Sequence, residues 1–365
     1  MHEKVKIFGA SLDPLPSPER LNLKMAYLNH LKNQLIGNLE SEDPYDFVKS
    51  RLSKNSSHQD KIKWIGKVPI PSWLTPKPKI TDLPKISPSG MNQFLQENGC
   101  WDYTLKVADY VSKKINQEIP VMIGVDHSLT GGTIMALSKW YSNLNIIILD
   151  AHFDIINNVY AEDYDNQNWN NLVSSLSNRK AKSKTHLGYY ECGNFLYYLL
   201  EKKVINSNNL WILGVQDEIY QKLKKGGDLK GRLPLEMIFI KEWINAGVHV
   251  IFKHEVASGD FKIDLNGPTY LSIDMDVGSM ASVFSARFMN SYGLNLSEFL
   301  QTLQKVNEAI QVSHYPLVGL DVMELDIHFL GAVKEMKMKD WTDEIVKKIF
   351  SLFINKNNSN HHVGY

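Results

Sequence analysis

The stretch Asn145-Ile146-Ile147-Ile148-Leu149-Asp150-Ala151-His152-Phe153-Asp154 decides the fold. An almost pure β-branched run ends abruptly in three polar side chains at i, i+2 and i+4. Branched side chains favour the pleated backbone, and a short continuous apolar run reads as a strand buried on both faces. On an extended chain, alternation would carry Asp150, His152 and Asp154 to one side. Open parallel sheets bind ligands at the carboxyl ends of their strands, so three potential metal ligands converging there point to a site rather than to solvated surface.

Similar runs recur outward from it. Segments 120–125, 210–215, 248–252, 270–273 and 316–320 read as strands, whereas 101–115, 129–140, 195–204 and 296–310 have helical spacing. Short apolar runs alternating with helices predict an α/β fold with a parallel sheet covered on both faces. Residues 1–90 read differently. Asp13-Pro14-Leu15-Pro16-Ser17-Pro18 is a turn-rich entry, 21–36 has helical spacing, and the prolines between Lys67 and Pro88 exclude a long helix. We read 1–90 as a Pro-rich lead-in packed on the main domain, 91–355 as the catalytic domain, and 356–365 as a polar, frayed tail whose His361 and His362 are not ligands.

Composition sets the limits. With 365 residues, 43% hydrophobic and 22% charged, the chain can bury a large core. Lysine plus arginine balance aspartate plus glutamate at 40 each, so no nucleic acid or anionic membrane is expected as partner. Cys100 and Cys192 are the two cysteines, far apart in sequence, which argues for a reducing compartment. The N-terminus has no apolar signal core, and no apolar stretch approaches the ~18 to 20 residues that span a bilayer. A cytoplasmic protein is expected.

Two further strand ends repeat the pattern. Leu271-Ser272-Ile273-Asp274-Met275-Asp276 closes in two acids, and Ile123-Gly124-Val125-Asp126-His127-Ser128 places a histidine where a strand turns into a helix. Alone, an Asp-x-Asp pair is more often exposed charge, and a lone histidine more often a satisfied turn residue. Recurrence gives them weight. His127, Asp150, His152, Asp154, Asp274 and Asp276 form an oxygen-rich set with some imidazole, which suits a pair of Mn²⁺ ions better than zinc. Without cations, four such acids would repel one another. A water shared by two ions roughly 3.5 Å apart, its pKa lowered from about 16 towards about 7, makes hydrolysis the natural reaction class.

GVDHS (124–128), LDAHFD (149–154) and SIDMD (272–276) resemble the GGDHS, DAHxD and SxDxD motifs of the arginase, agmatinase and formiminoglutamase group. The resemblance covers roughly residues 100–330. It implies a three-layer α/β fold with a central eight-stranded parallel sheet. It also implies one manganese on His127, Asp150, Asp154 and Asp274, and the other on Asp150, His152, Asp274 and Asp276. Gly319-Leu320-Asp321-Val322-Met323-Glu324 is similar to the late arginase strand whose glutamate faces the substrate guanidinium, a role that falls to Glu324.

Three features depart from the family pattern. Val277-Gly278-Ser279-Met280 replaces the usual Asp-Pro turn. Asp154-Ile155-Ile156-Asn157-Asn158 displaces the asparagine that grips free arginine, and His186 is the nearest equivalent of the proton-shuttle histidine. The ligand set is thus whole while the elements gripping the α-amino and α-carboxylate groups are altered, as in atypical arginases that convert peptidyl arginine to ornithine. The expected partner is an arginine-containing peptide, lying in a groove shaped by the 155–190 loop and the Pro-rich lead-in, or else a small guanidino compound, with self-association into a homo-oligomer left open. Rival readings are a ureohydrolase for a free substrate, a one-zinc deacetylase-like enzyme on a related fold, and a noncatalytic metal-binding relative. The basic stretch Lys222 to Arg232 reads as a solvated loop, the aromatics between Tyr189 and Tyr198 as helix packing, and His254 and Glu255 as residues following a strand.

Overall fold

The apolar run at 145–149 is buried throughout, and its alternate side chains enter two separate cores. Ile146 and Ile148 join Met122, Ile212 and Tyr270 on one face, whereas Ile147 and Leu149 join Ile123, Leu213, Leu271 and Val322 on the other. Only a strand inside a sheet covered on both sides divides its residues in this way. The computed structural model describes residues 4–33, 43–52, 61–116, 118–155, 189–225, 235–289, 291–326, 328 and 339–354.

The strands are β1 (Val5–Ala10), β2 (Ile62–Lys67), β3 (Ile119–Gly124), β4 (Asn145–Leu149), β5 (Leu210–Val215), β6 (His249–Phe252), β7 (Thr269–Asp274) and β8 (Leu317–Met323). They form one 8-stranded sheet in the order β2-β1-β3-β8-β7-β4-β5-β6, with every neighbouring pair parallel. One face is covered by helices such as Gly99–Lys114, through Tyr103, Val107 and Val111. The other is covered by Leu296–Val312, through Phe299, Leu303, Val306 and Ile310, and by Thr342–Phe353. Their apolar residues recur at three and four, which puts each row on one helix face. Asn295 and Glu298 close a capping box that starts Leu296–Val312 where the apolar spacing begins.

Residues 1–90 do more than lie against this body. They supply β1 and β2, and β1 pairs with β3 from Val5↔Ile119 to Ala10↔Gly124, so the sheet runs across the boundary drawn near residue 90. The helix expected over 21–36 runs from Pro18 to Lys32, with Ser17 accepting from the Arg20 N–H and proline in the first turn. Between Lys67 and Pro88 the described helical pieces are the short 3₁₀ turns Ser72–Leu74 and Ile80–Lys85. Among the described residues, no helix is long and apolar enough to cross a membrane. The tail from 355 onward lies outside them.

The centre of the sheet positions the site. β3, β8, β7 and β4 are consecutive neighbours, so their carboxyl ends stand side by side. β3 is tightly held there: a Cβ on Gly124 would lie 2.5 Å from Met323 Cε and 2.9 Å from the Ala10 carbonyl oxygen.

Candidate metal centre

The three acid-bearing segments turn sharply at their strand ends. β4 stops at Leu149, and Asp150 Oδ1 accepts from the His152 N–H at 2.6 Å. β7 stops at Asp274, whose Oδ1 accepts from the Asp276 N–H at 2.9 Å, and Asp276 Oδ1 accepts from the Ala151 N–H at 3.2 Å. After β3, Asp126 caps the turn His127–Leu129 by accepting from the Ser128 N–H. Asp150 and Asp274 thus each spend one oxygen on a local turn, which leaves the other for the cluster.

This corrects the extended geometry expected for Asp150, His152 and Asp154. They leave the sheet in a loop, and Asp154 has a left-handed backbone with φ of 48°. A non-glycine residue held there is strained by about 1 to 3 kcal/mol, and such strain gathers at functional sites. The right residues converge by turning rather than by alternating.

All six expected ligands meet. His127 Nδ1 lies 3.2 Å from Asp150 Oδ2, 3.0 Å from Asp154 Oδ2 and 3.0 Å from Asp274 Oδ2. His152 Nδ1 lies 2.9 Å from Asp276 Oδ2 and 3.4 Å from Asp150 Oδ1. Yet His127 Nδ1, Asp150 Oδ2, Asp276 Oδ2 and Glu324 Oε2 are buried without a hydrogen-bond partner. Orphaned buried polar atoms are costly, and donors of this kind lying together suit the coordination of a cation. His127–Asp150–Asp274 and Asp150–His152–Asp276 each bring ligand atoms within 4.8 Å of one another, sharing Asp150. Residues and donor chemistry therefore fit a pair of divalent ions.

A second tier fixes the imidazole. His127 Nε2 is 2.9 Å from Ser272 Oγ, which donates to Asp321 Oδ1 at 2.5 Å. Thr130 Oγ1 and the Tyr270 hydroxyl both donate to Asp321 Oδ2. Tying Nε2 down leaves Nδ1 as the atom offered to the cluster. Tyr190, inside the aromatic group, supports the same turn by donating to the Ser128 carbonyl at 2.6 Å.

Proton affinities follow crowding and burial. Burial, then Asp150, lifts Asp154 to about 7. Burial, Asp276 and Asp150 push Asp274 well up, and burial with Asp274 and Asp276 does the same to Glu324. Asp150 goes the other way: burial would raise it, but His127 and His152 hold it low. Burial disfavours a charged His127, and its three carboxylate neighbours nevertheless raise it well above the usual range. Crowded acids that hold their protons so firmly are ones whose charge a bound cation would offset.

Above the cluster lies a cavity of about 290 Å³ with His152, Asp154 and Asp274 at its floor. Leu15, Phe153, Ile219 and Phe288 make its walls apolar, and Glu191 and Glu324 make them acidic. Glu324 follows β8 with φ of 56°, and its oxygen falls within 4.8 Å of those of Asp274 and Asp276. Sequence reading missed Leu15, Phe288 and Glu191, and also Arg287, which bonds Asp126 from 161 residues away. No local pattern marks such a partner. His186 and most of the 155–190 loop lie outside the described residues, as does the basic stretch beyond Lys225. His254 sits at the surface, paired with Asp217 at 2.6 Å, and Glu255 caps the Phe252 N–H.

A three-layer α/β sheet with this cluster at its central strand ends defines a protein of the ureohydrolase class. The sequence profile of the arginase family matches residues 46–329, and the chain belongs to that family. The arginase of Schizosaccharomyces pombe is 26% identical over 264 residues, spanning 69% of this chain and 71% of that one. A Staphylococcus aureus arginase is 36% identical over 81 residues, a match spanning 20% of this chain and only 26% of that arginase. In fold, the arginase from Bacillus caldovelox matches with a TM-score of 0.54 at 17% identity, covering 97% of this chain and 99% of that one. The proclavaminate amidino hydrolase from Streptomyces clavuligerus matches with 0.52 at 17% identity, covering 96% and 90%.

Proposed function

We propose that this chain is a binuclear manganese hydrolase that adds water across the guanidino C–N bond of arginine, leaving ornithine and releasing urea, the arginine being carried within a peptide. The observation that carries the reading is Glu324, a buried carboxylate with an unpartnered Oε2 in the wall of a cavity floored by the metal cluster. A carboxylate so placed offers its free oxygen to the N–H groups of a planar guanidinium and holds its carbon over the cluster. His127, Asp150, Asp154 and Asp274 would hold one ion, and Asp150, His152, Asp274 and Asp276 the other. The pair would supply Lewis acidity and a water acidified to near-neutral pH.

The chain's own residues account for recognition. Leu15, Phe153, Ile219 and Phe288 suit the aliphatic stem of an arginine, and Glu191 adds negative charge favouring a cation over a free α-carboxylate. Asp154, on the cavity floor, and His186 are assigned the protonation of the leaving amine. The displaced asparagine after Asp154 supports a substrate lacking free α-amino and carboxylate groups.

The test incubates Mn²⁺-loaded protein with arginine-containing peptides, free arginine and other guanidino compounds. Urea release is measured with the arginine-to-ornithine mass change. Turnover of the peptides is expected. Turnover of free arginine alone sinks the peptide substrate, and no urea from any guanidino compound sinks the activity.

A further inference from the structure

Arg287 is buried beside the metal cluster without touching it. Its Nη1 donates to Asp126 Oδ2 at 2.7 Å and lies 3.7 Å from Glu324 Oε1, while its Nε lies 3.3 Å from Asp13 Oδ1. Those carboxylates follow β1, β3 and β8, three consecutive strands of the sheet, so one guanidinium bridges three strand ends. The backbone is tied as well. The Arg287 N–H donates to the Glu324 carbonyl at 2.9 Å, Ala286 bridges Leu325, and the Asp326 N–H donates to the Ser285 carbonyl at 2.7 Å. Antiparallel pairing of 285–287 with 324–326 thus holds Glu324 in its left-handed conformation, and the guanidinium then engages one carboxylate oxygen. The other oxygen, Oε2, is the unpartnered one.

Asp13 anchors this arrangement from the far side. It is fully buried, accepts from Arg20 Nη2 at 2.9 Å, and lies 3.6 Å from Lys24 Nζ. Two residues on, Leu15 forms part of the cavity wall, as does Phe288, the residue after Arg287. Arg287 therefore joins both flanks of the cavity to the carboxylate between them.

On the assignment of Glu324 made above, we propose that Arg287 is a positioning residue for substrate recognition: clamped by Asp13 and Asp126, its guanidinium sets the direction in which Glu324 presents its free oxygen to an incoming guanidinium. A planar fork can serve three carboxylates at once, and a lysine ammonium is a point charge that cannot. Misplacing a catalytic-site group by about 1 Å is enough to lose about a hundred-fold in rate.

The experiment compares wild type, Arg287→Lys, Glu324→Gln and the double variant as Mn²⁺-loaded proteins. Metal content, thermal melting, kcat and KM for an arginine-containing peptide, and calorimetric affinity for that peptide are measured for each. Arg287→Lys keeps the buried positive charge, so two metals per chain and near-native melting are expected. Peptide affinity and kcat/KM should still fall by about a hundred-fold. In the Glu324→Gln background the same substitution should have almost no further effect, because coupled residues are non-additive. Wild-type affinity in Arg287→Lys, an equal loss in both backgrounds, or loss of metal would each overturn the proposal. The binding arm separates it from the activity. A wild type that binds the peptide with this coupling but releases no urea removes the hydrolase reading and leaves the role of Arg287 standing. A wild type that neither binds nor turns over the peptide removes both.

Discussion

Two buried groups of charges adjoin each other at the carboxyl end of the sheet, and they solve the same problem in opposite ways. Around Asp13, acids and bases interleave: Arg20 spans Asp13 and Asp326, Lys24 donates to the Asp13 carbonyl at 2.5 Å, and Arg287 reaches Asp126 and Glu324. Burial alone would lift Asp13, yet Arg20, Lys24 and Arg287 pull it far below the usual carboxylate range. Around Asp274, acids face acids and histidines, and the same burial pushes the carboxyl well up. In the first group the chain's own bases stand opposite its acids, so charge is balanced from within. The second brings acid against acid with two histidines between them, a donor set that suits divalent cations.

Removing a ligand should break the second group most severely. Asp274→Asn is expected to lower metal content and bring urea release to background, measured by elemental analysis beside the activity assay; full activity would exclude the cluster as the site. Asp13→Ala attacks the first group instead. It leaves Arg20, Lys24 and Arg287 in buried excess, and losing one partner of a buried ion pair costs about 3 to 5 kcal/mol. Urea denaturation should show that loss with the ligand set intact.

Metal addition should discriminate the two groups without mutation. At a free concentration a hundred times Kd, a bound ion stabilises the fold by about 2.7 kcal/mol. The gain should appear in wild type and in Asp13→Ala, and vanish in Asp274→Asn; a gain persisting in the last would place the ions elsewhere. The pH dependence has a defined sign. Asp154 moves from its ordinary 3.8 to about 7 in the metal-free fold, so between those values the folded state holds a proton that the unfolded state has released. Stability of the metal-free protein should then fall as pH rises through that window. Metal binding should strengthen over the same range and release protons, while Asp13 and Asp150, held low, titrate beneath it. Melting curves with and without metal at several pH values check this. The smallest effect is expected from His254→Ala: its pair with Asp217 is exposed, so the change should cost about 1 kcal/mol or less and leave urea release untouched.

The ligand-cluster half of this contrast was legible in the sequence because its chemistry is local. Apolar runs at 145–149 and 270–273 are followed directly by their acids, and those runs are strands buried on both faces. The outer sheet was not legible. In Val5–Ala10 and Ile62–Lys67 the apolar residues are interrupted by Lys6, Lys63 and Lys67, as in strands near a sheet edge, so no long continuous apolar run announces them. The ion-paired group was hidden for a different reason. Asp13, Asp126, Arg287 and Asp326 are scattered over the chain and acquire meaning only when four strand ends are brought together. Even for Asp150, His152 and Asp154 the residues were right and the geometry was not, since a left-handed turn at Asp154 replaces the alternation.

The place of β8 in the sheet has a consequence for synthesis. Made after all the other strands, it inserts between β3 and β7 and joins β2-β1-β3 to β7-β4-β5-β6. A nascent chain that has not yet reached residue 317 owns every one of the six ligands but no scaffold to set His127 against Asp150 and Asp274. Asp150, His152 and Asp276 lie at the ends of β4 and β7, which pair directly, so that part of the cluster can form early, whereas His127 on β3 is brought to it only when β8 fills the gap between β3 and β7.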